Sequence, residues 1–285
     1  MNLIKDKLYR IKRGLLKKLI EIKVLLTPSG PEKRYDFNNA KQYWRNVPKA
    51  KGSNPWDTEK LKSISDEELI LQFNGEQKKA RDKYERKLGF QRAFESIIDI
   101  ENPLVMDYGS GIGFYGFEIL NHFPNALVTF VDINQNNLDI IARIGKLLAL
   151  EDRINIFQVK DARAKDIYFT NKFNLIISMG VLHHTPYAVD IIHHLTQFIN
   201  NNGIFLVMLY NQYYKKRLSL KKGYRLNNST FGALTDPMVD GLQNPYSEGY
   251  DDNKAIDLFG NNYEMISKDY PTSDYNIYRF IKTDH

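Results

Sequence analysis

The stretch Leu104-Val105-Met106-Asp107-Tyr108-Gly109-Ser110-Gly111-Ile112-Gly113 decides the fold. An apolar run ends on a carboxylate and then breaks into alternating glycines, the pattern of a short buried strand followed by a turn. Glycine lets the backbone turn sharply and approach a bound molecule, because no Cβ intervenes. Residues 114–123 can then begin a helix whose free N–H groups face the same space. Strand, glycine turn and helix make the nucleotide-binding opening of a doubly wound α/β domain.

Working outward, the pattern predicts strands at Leu104–Tyr108, Leu127–Asp132, Ile154–Val159, Phe173–Met179 and Gly203–Tyr210. Helices fall between most of them, notably Asn136–Leu150 and Tyr187–Ile199. Such alternation implies a parallel sheet with helices on both faces. Asn262–Tyr270 and Asn276–Lys282 are joined by Pro271-Thr272-Ser273-Asp274, a turn sequence, and read as a C-terminal antiparallel hairpin. Upstream, Ser65-Asp66-Glu67-Glu68 has the form of a helix capping box, and a longer helix is predicted from about Gln77 to Ile98. Residues 27–100 therefore read as a helical cap and linker over the nucleotide domain of residues 101–285.

Residues 1–26 are of a different kind. Ile4, Leu8, Ile11, Leu15, Leu19 and Ile22 recur at steps of three and four, which puts them on one helix stripe among lysines and arginines. The formal net charge of +6 resides in this segment, where eight basic residues face Asp6 and Glu21, so the rest of the chain is balanced. A basic amphipathic helix suits peripheral contact with an anionic membrane, or packing on the body or on a second subunit. No run is long enough for a membrane span, nothing resembles an export signal, and cysteine is absent, so a cytoplasmic protein is expected. The balanced body argues against DNA as a partner. Basic and aromatic residues interleave over 213–225 in a way that could suit RNA, although a solvated helix face is the commoner meaning.

The glycines fit two patterns. Gly109, Gly111 and Gly113 give G-x-G-x-G, and Gly111, Gly113 and Gly116 give the G-x-G-x-x-G of dinucleotide enzymes. Asp107 would crowd a pyrophosphate but could accept from a cationic amino group, which favours a ligand with an amino-acid end. Asp132, 23 positions after Gly109, can hold a ribose, or else cap the next helix as Asn134 could. Asp161, followed by Ala162, can accept from an adenine amine, and Ile133 can pack on the purine.

After the fourth strand comes Ser178-Met179-Gly180-Val181-Leu182-His183-His184-Thr185. With Asp107-x-Gly109-x-Gly111-x-Gly113, Asp132 and Asp161-Ala162, this segment makes the chain resemble the class I S-adenosylmethionine-dependent methyltransferases that carry a "GVLHHT" segment. Val207–Asn211, Asn244–Ser247 and Tyr43-Trp44 are also similar to that group. The resemblance implies a Rossmann-like α/β fold with a seven-stranded, mostly parallel sheet and a closing hairpin. It implies S-adenosylmethionine as cofactor, with Gly109, Ser110, Gly111 and Gly113 along its methionine part and Asp107 on its amino group. By the same likeness Asp132 would hold the ribose and Asp161 the adenine, while Ser178 and Met179 would close the pocket under the sulfonium. Two departures are Tyr108, where a smaller residue is usual, and Asn200-Asn201-Asn202-Gly203, where a Pro-Gly-Gly turn is usual.

Methyl transfer needs alignment and, for a nucleophile of high pKa, a base. His183, at the end of the fourth strand, is the expected base, the alternative being that His183 and His184 cap or orient a neighbouring loop. His193 and His194 read as packing or surface residues. The adjacent histidine pairs point apart and no carboxylate cluster accompanies them, so no metal is expected. Tyr43, Trp44, Tyr210 and Tyr246, with the polar segment 223–250, are expected to build the acceptor pocket. The function read here is methyl transfer to a small or lipid-linked metabolite. The rivals are a nicotinamide-dependent oxidoreductase and a scaffold that binds cofactor without transferring anything.

Overall fold

The computed structural model describes residues 18–20, 22–26, 35–50, 58–213, 246–272 and 274–283. The polar segment expected over 223–250 therefore lies outside the described residues up to position 245, as do positions 1–17 of the amphipathic segment.

Apolar runs of five to twelve residues become seven strands: β1 (Leu104–Tyr108), β2 (Leu127–Asp132), β3 (Ile154–Gln158), β4 (Phe173–Met179), β5 (Ile199–Tyr210), β6 (Tyr263–Asp269) and β7 (Tyr275–Lys282). They form one sheet in the order β3-β2-β1-β4-β5-β7-β6. The first five are parallel, whereas β7 runs antiparallel to both β5 and β6. Before the sheet come α1 (Phe37–Ala50), α2 (Thr58–Ser63), α3 (Asp66–Asp82) and α4 (Tyr84–Glu95). Within it lie α5 (Phe114–His122), α6 (Gln135–Leu147), α7 (Ala188–Leu195) and α8 (Asp252–Phe259). The fold is thus the Rossmann-like α/β sheet with an antiparallel closing hairpin.

Successive side chains of a strand point to opposite faces, so each strand feeds two apolar layers. Val105, Phe130, Leu175 and Leu206 meet Phe73 of α3, Phe117 of α5 and Ile141 of α6 on one side. Met106, Ile176, Phe205 and Tyr278 meet Ile191 and Leu195 of α7 and Phe259 of α8 on the other. Each fully buried ring or branched chain contributes roughly 1.5–3 kcal/mol. Leu61, Leu69, Phe73, Ala93 and Ile97 join the first layer, so the helices that precede the sheet share its core. At Gly116 a Cβ would stand 2.2 Å from the Phe130 ring, so glycine there lets α5 lie close on β2.

Two elements depart from the pattern read in the sequence. The long helix predicted from Gln77 to Ile98 is two helices, because Lys83 takes an extended conformation (φ −77°, ψ 121°) and its N–H turns back to Ala80 O. The break redirects α4 so that Gly89 rests against Tyr115 and Met179. The fifth strand starts earlier than predicted, at Ile199, and residues 200–203 form a bulge instead of a turn: pairing with β4 jumps from Phe173–Ile199 to Leu175–Ile204, and Asn202 has φ 59°. Residues 18–20 and 22–25 are helical, with Val24 buried while Leu19, Ile22, Leu25 and Leu26 face outward. No helix among the described residues is long and apolar enough to cross a membrane.

Candidate active site

The strand order reverses between β1 and β4: from β1 the chain builds outward to β3, and from β4 it builds the other way. At such a switch point the connections diverge and leave a crevice beyond the carboxyl ends of the strands. Two adjoining cavities of about 230 and 430 Å³ lie there and share Trp44, Gly109, Gly111, Asn137 and Met179.

The glycine turn forms the floor. Gly109 has φ +74°, and a Cβ there would stand 2.3 Å from a Val181 methyl carbon, so the turn after β1 and the turn after β4 touch because one of them lacks a side chain. Gly109 N–H and Ser110 N–H donate to Val131 O at 2.7 and 3.1 Å, which ties the turn to β2. Asp132 braces it from the same side: Gly111 N–H donates to Oδ2 at 2.8 Å and Asn134 N–H to Oδ1 at 2.7 Å. Asn134 caps α6 through its own side chain, accepting from Asn136 N–H at 3.1 Å. The strand-end acid and the capping role therefore belong to two different residues.

Asp107, at the end of β1, is 3 % exposed, and Gly116 N–H donates to its Oδ2 at 3.0 Å. Burial, together with the neighbouring Asp132 charge, pushes it up to about 7 against the Gly116 bond that lowers it. Asp132 is pushed up to about 6 by burial, opposed by its backbone donors. A site holding two buried carboxylates above their ordinary range is poised to gain from a cationic ligand.

The smaller cavity takes Asp132, Ile133, Val131, Val159 and Val181, a polar rim on an apolar slot of the kind that holds a nucleoside. The larger takes Asp107, Ser110, Tyr115, Met208 and Tyr275, with Lys83 and Arg86 at the end of the break between α3 and α4. Of the residues expected to bind cofactor, Asp107, Gly109, Ser110, Gly111, Asp132, Ile133 and Met179 line the cavities. Gly113 instead caps α5 in a left-handed conformation. Ser178 is fully buried, its hydroxyl without a partner in the structure. Asp161 and Ala162 do not line either cavity: Asp161 Oδ1 accepts from Arg163 N–H and Lys165 N–H at 2.9 and 3.1 Å, which closes its own loop and holds the carboxyl below its ordinary range.

The two histidines after β4 part company in a single 3₁₀ turn (Leu182–His184). His183, expected as the base, is fully buried and stacks on Tyr210 at 3.8 Å, while its Nδ1 accepts from Tyr210 N–H at 3.3 Å. Burial and the adjacent His184 hold it well below the ordinary imidazole range, so it is neutral. His184 is the one that reaches the cavity wall. Its Nδ1 lies 3.1 Å from Tyr246 O, and a carbonyl only accepts, so Nδ1 carries the proton. Trp44 of α1 lies across it at 4.8 Å between ring centroids.

Of the expected acceptor residues, only Trp44 lines the cavities. Tyr43 packs edge-on against Trp44, Tyr210 lies under the histidines, and Tyr246 donates to Glu248 Oε2 at 2.8 Å. Tyr35 stands edge-on to both Tyr187 and Tyr246, so the chain entering α1 is pinned over the same end of the sheet. Asn137, Lys83, Arg86, Tyr115 and Tyr275 were not foreseen. Only Tyr115 and Asn137 carried a hint, by following closely on the glycine turn and on Asp132.

S-adenosylmethionine fits these residues. It has an ammonium for Asp107, a ribose for Asp132 and a purine for the Ile133–Val181 slot, and the glycine turn leaves room for its methionine chain. Residues 106–205 match a family model described as a methyltransferase domain. A malonyl-[acyl-carrier protein] O-methyltransferase of Ilyobacter polytropus is 27% identical over 119 residues, 41% of this chain and 44% of that protein. A ribosomal RNA small subunit methyltransferase G of Mycoplasma capricolum is 25% identical over 136 residues, 47% of this chain and 55% of that one. The chain thus spans about half the length of the curated relatives it matches. Among solved structures, magnesium protoporphyrin IX methyltransferase of Synechocystis PCC 6803 with bound SAH aligns at a TM-score of 0.54 and 14% identity, covering 87% of this chain and 100% of that one. Domain match and sheet agree: residues 106–205 are the core of a class I S-adenosylmethionine-dependent methyltransferase domain.

Proposed function

We propose that the protein transfers a methyl group from S-adenosylmethionine to a small or lipid-linked acceptor. The observation that carries this reading is the junction of the two cavities at Gly109, Gly111, Met179 and Trp44, with a nucleoside-shaped end on one side and a charged, roomier end on the other. The cofactor supplies an electrophilic methyl group on a sulfonium. Asp107 and Asp132 hold and orient its two ends, and Met179, shared by both cavities, lies where they join. Trp44 covers that junction and excludes water, which raises the value of every charge inside. Where the acceptor needs to lose a proton, His184 is the proposed acceptor of it, since it is the histidine that lines the cavity and the Tyr246 carbonyl orients its ring through Nδ1. The relative from Ilyobacter is named as an O-methyltransferase, which supports oxygen as the atom methylated.

Calorimetric titration with S-adenosylhomocysteine and with NADH tests the cofactor. Saturable binding of the first alone is expected, and tight NADH binding without the first would return the site to an oxidoreductase. For the reaction, labelled cofactor is incubated with a cell extract and the labelled product is identified by mass. Binding with no labelled product from any extract would favour the scaffold. His184→Gln should lower turnover by about a hundredfold with S-adenosylhomocysteine binding retained. His184→Gln with unchanged turnover and pH profile would remove the base role.

The lipid-linked alternative rests on the exposed Leu19, Ile22, Leu25 and Leu26 beside a strongly basic segment. Sedimentation with vesicles of anionic and of neutral lipid should separate the full chain from one lacking residues 1–26. Equal sedimentation of the two would leave a free metabolite as the acceptor.

A further inference from the structure

The larger cavity holds more positive charge than the cofactor can use. Lys83 and Arg86 line it, and among the described residues neither makes an ion pair. Arg86 is half-buried, with its guanidinium 5.1 Å from the centre of the Phe114 ring, a contact that fixes the group without neutralising it. Asp107 is the acid on the same wall, and it is turned to Gly116 N–H at 3.0 Å.

Charge bookkeeping then has one outcome. On the proposed reading, Asp107 takes the cofactor's ammonium, and the cofactor's single carboxylate takes one of the two cations. The second cation and the sulfonium are then set against Asp132 of the adjoining cavity, which leaves one positive charge over. Lys83 is exposed at the rim and Arg86 is half-buried, so this surplus positive charge sits where an incoming anion can reach it. The remaining contributor is the acceptor.

We propose that the acceptor is an anion, a carboxylate or phosphate monoester, recognised by Lys83 and Arg86 at the start of α4. The break at Lys83 is what makes this possible. An uninterrupted helix would carry position 83 up its own axis, whereas the extended residue sets Lys83 beside the first turn of α4, three positions from Arg86. Tyr275, from the hairpin, lines the same cavity. Arg86 can make a forked contact and Lys83 a point contact, so the pair selects charge first and geometry second. This rests on the methyltransferase reading above, and it adds the substrate class.

The test uses the full chain saturated with S-adenosylhomocysteine, titrated calorimetrically with benzoate and, separately, with inorganic phosphate. Saturable binding of at least one anion is expected, weakened about tenfold or more by Lys83→Gln or Arg86→Gln and restored in part by Arg86→Lys. Circular dichroism on each variant confirms the fold before titration. A cofactor-product complex that binds neither anion, or binds them equally well in both glutamine variants, would overturn the proposal while leaving the methyltransferase reading intact. So would a double variant that loses S-adenosylhomocysteine itself by more than about a hundredfold, because both cations would then serve the cofactor. Wild-type protein that fails to bind S-adenosylhomocysteine would instead overturn the reading beneath it.

Discussion

Asp107 is a carboxylate kept from water and braced by Gly116 N–H. With its folded value near 7 against an ordinary value near 4, the native state retains a proton that the unfolded chain has already lost. Its contribution to stability is therefore fully present below about pH 4 and is lost as pH rises through about 7. A cationic ligand reverses the balance by favouring the ionised form. Binding of S-adenosylhomocysteine at pH 7 should release about half a proton from Asp107, read as a dependence of the calorimetric enthalpy on buffer ionisation heat. Affinity should rise with pH up to about 7 and then level off. Asp107→Asn should keep the fold, abolish the proton release, and weaken the ligand by tenfold or more, about 1.4 kcal/mol. Release that persists in the variant would point to Asp132, which sits near 6.

Two glycines at helix–sheet contacts separate packing from function among the elements. At Gly116 a methyl would meet the rigid Phe130 ring at 2.2 Å and Val128 at 2.9 Å, inside the core. Gly116→Ala should therefore cost about 1–3 kcal/mol of stability, seen as a lower urea midpoint. At Gly89 a methyl would meet the ends of flexible chains, Tyr115 Oη at 2.5 Å and Met179 Cε at 3.0 Å, and both line the larger cavity. Gly89→Ala should leave the midpoint within about 0.5 kcal/mol and weaken S-adenosylhomocysteine instead. α4 is also fastened at its far end. Arg92 Nε and Nη2 grip Asp269 of β6 at 2.7 and 2.9 Å, and Arg92 Nη1 reaches Glu95 at 2.7 Å. Both partners are largely shielded from solvent, so the forked pair is worth more than a surface ion pair. Arg92→Leu should cost about 1–2 kcal/mol and loosen α4 selectively, seen as faster amide exchange over residues 84–95 than over β1 or β4.

Across the whole molecule, binding in the cleft couples to global stability by mass action. S-adenosylhomocysteine at a hundred times its dissociation constant should raise the unfolding free energy by about 2.7 kcal/mol, measured as a denaturant midpoint shift. What the sequence makes legible follows the range of the interactions. The glycine turn, Asp107, Asp132 and the strand ends are set by local patterns of period two and by turn chemistry, and they sit where those patterns put them. The break at Lys83 carries neither proline nor glycine, so no local signal announces it. Tyr275 joins Lys83, Arg86 and Asn137 at the cavity because β7 enters the sheet beside β5, a matter of topology with no trace in local spacing. Which of His183 and His184 faces the cleft depends on one turn of 3₁₀ helix, and adjacent residues carry no periodic signal to settle it. The clasp between Arg92 and Asp269 has a further consequence for synthesis. A nascent chain emerges in order, so α4 and the glycine turn leave the ribosome well before Asp269 and Tyr275. Until the β6–β7 hairpin is threaded in beside β5, α4 has its apolar packing but not its ion-pair clasp, and the charged cavity lacks the wall that Tyr275 supplies. The chain thus acquires its complete binding cleft only once residues 263–282 have been made, and a copy that stops short of them is denied it.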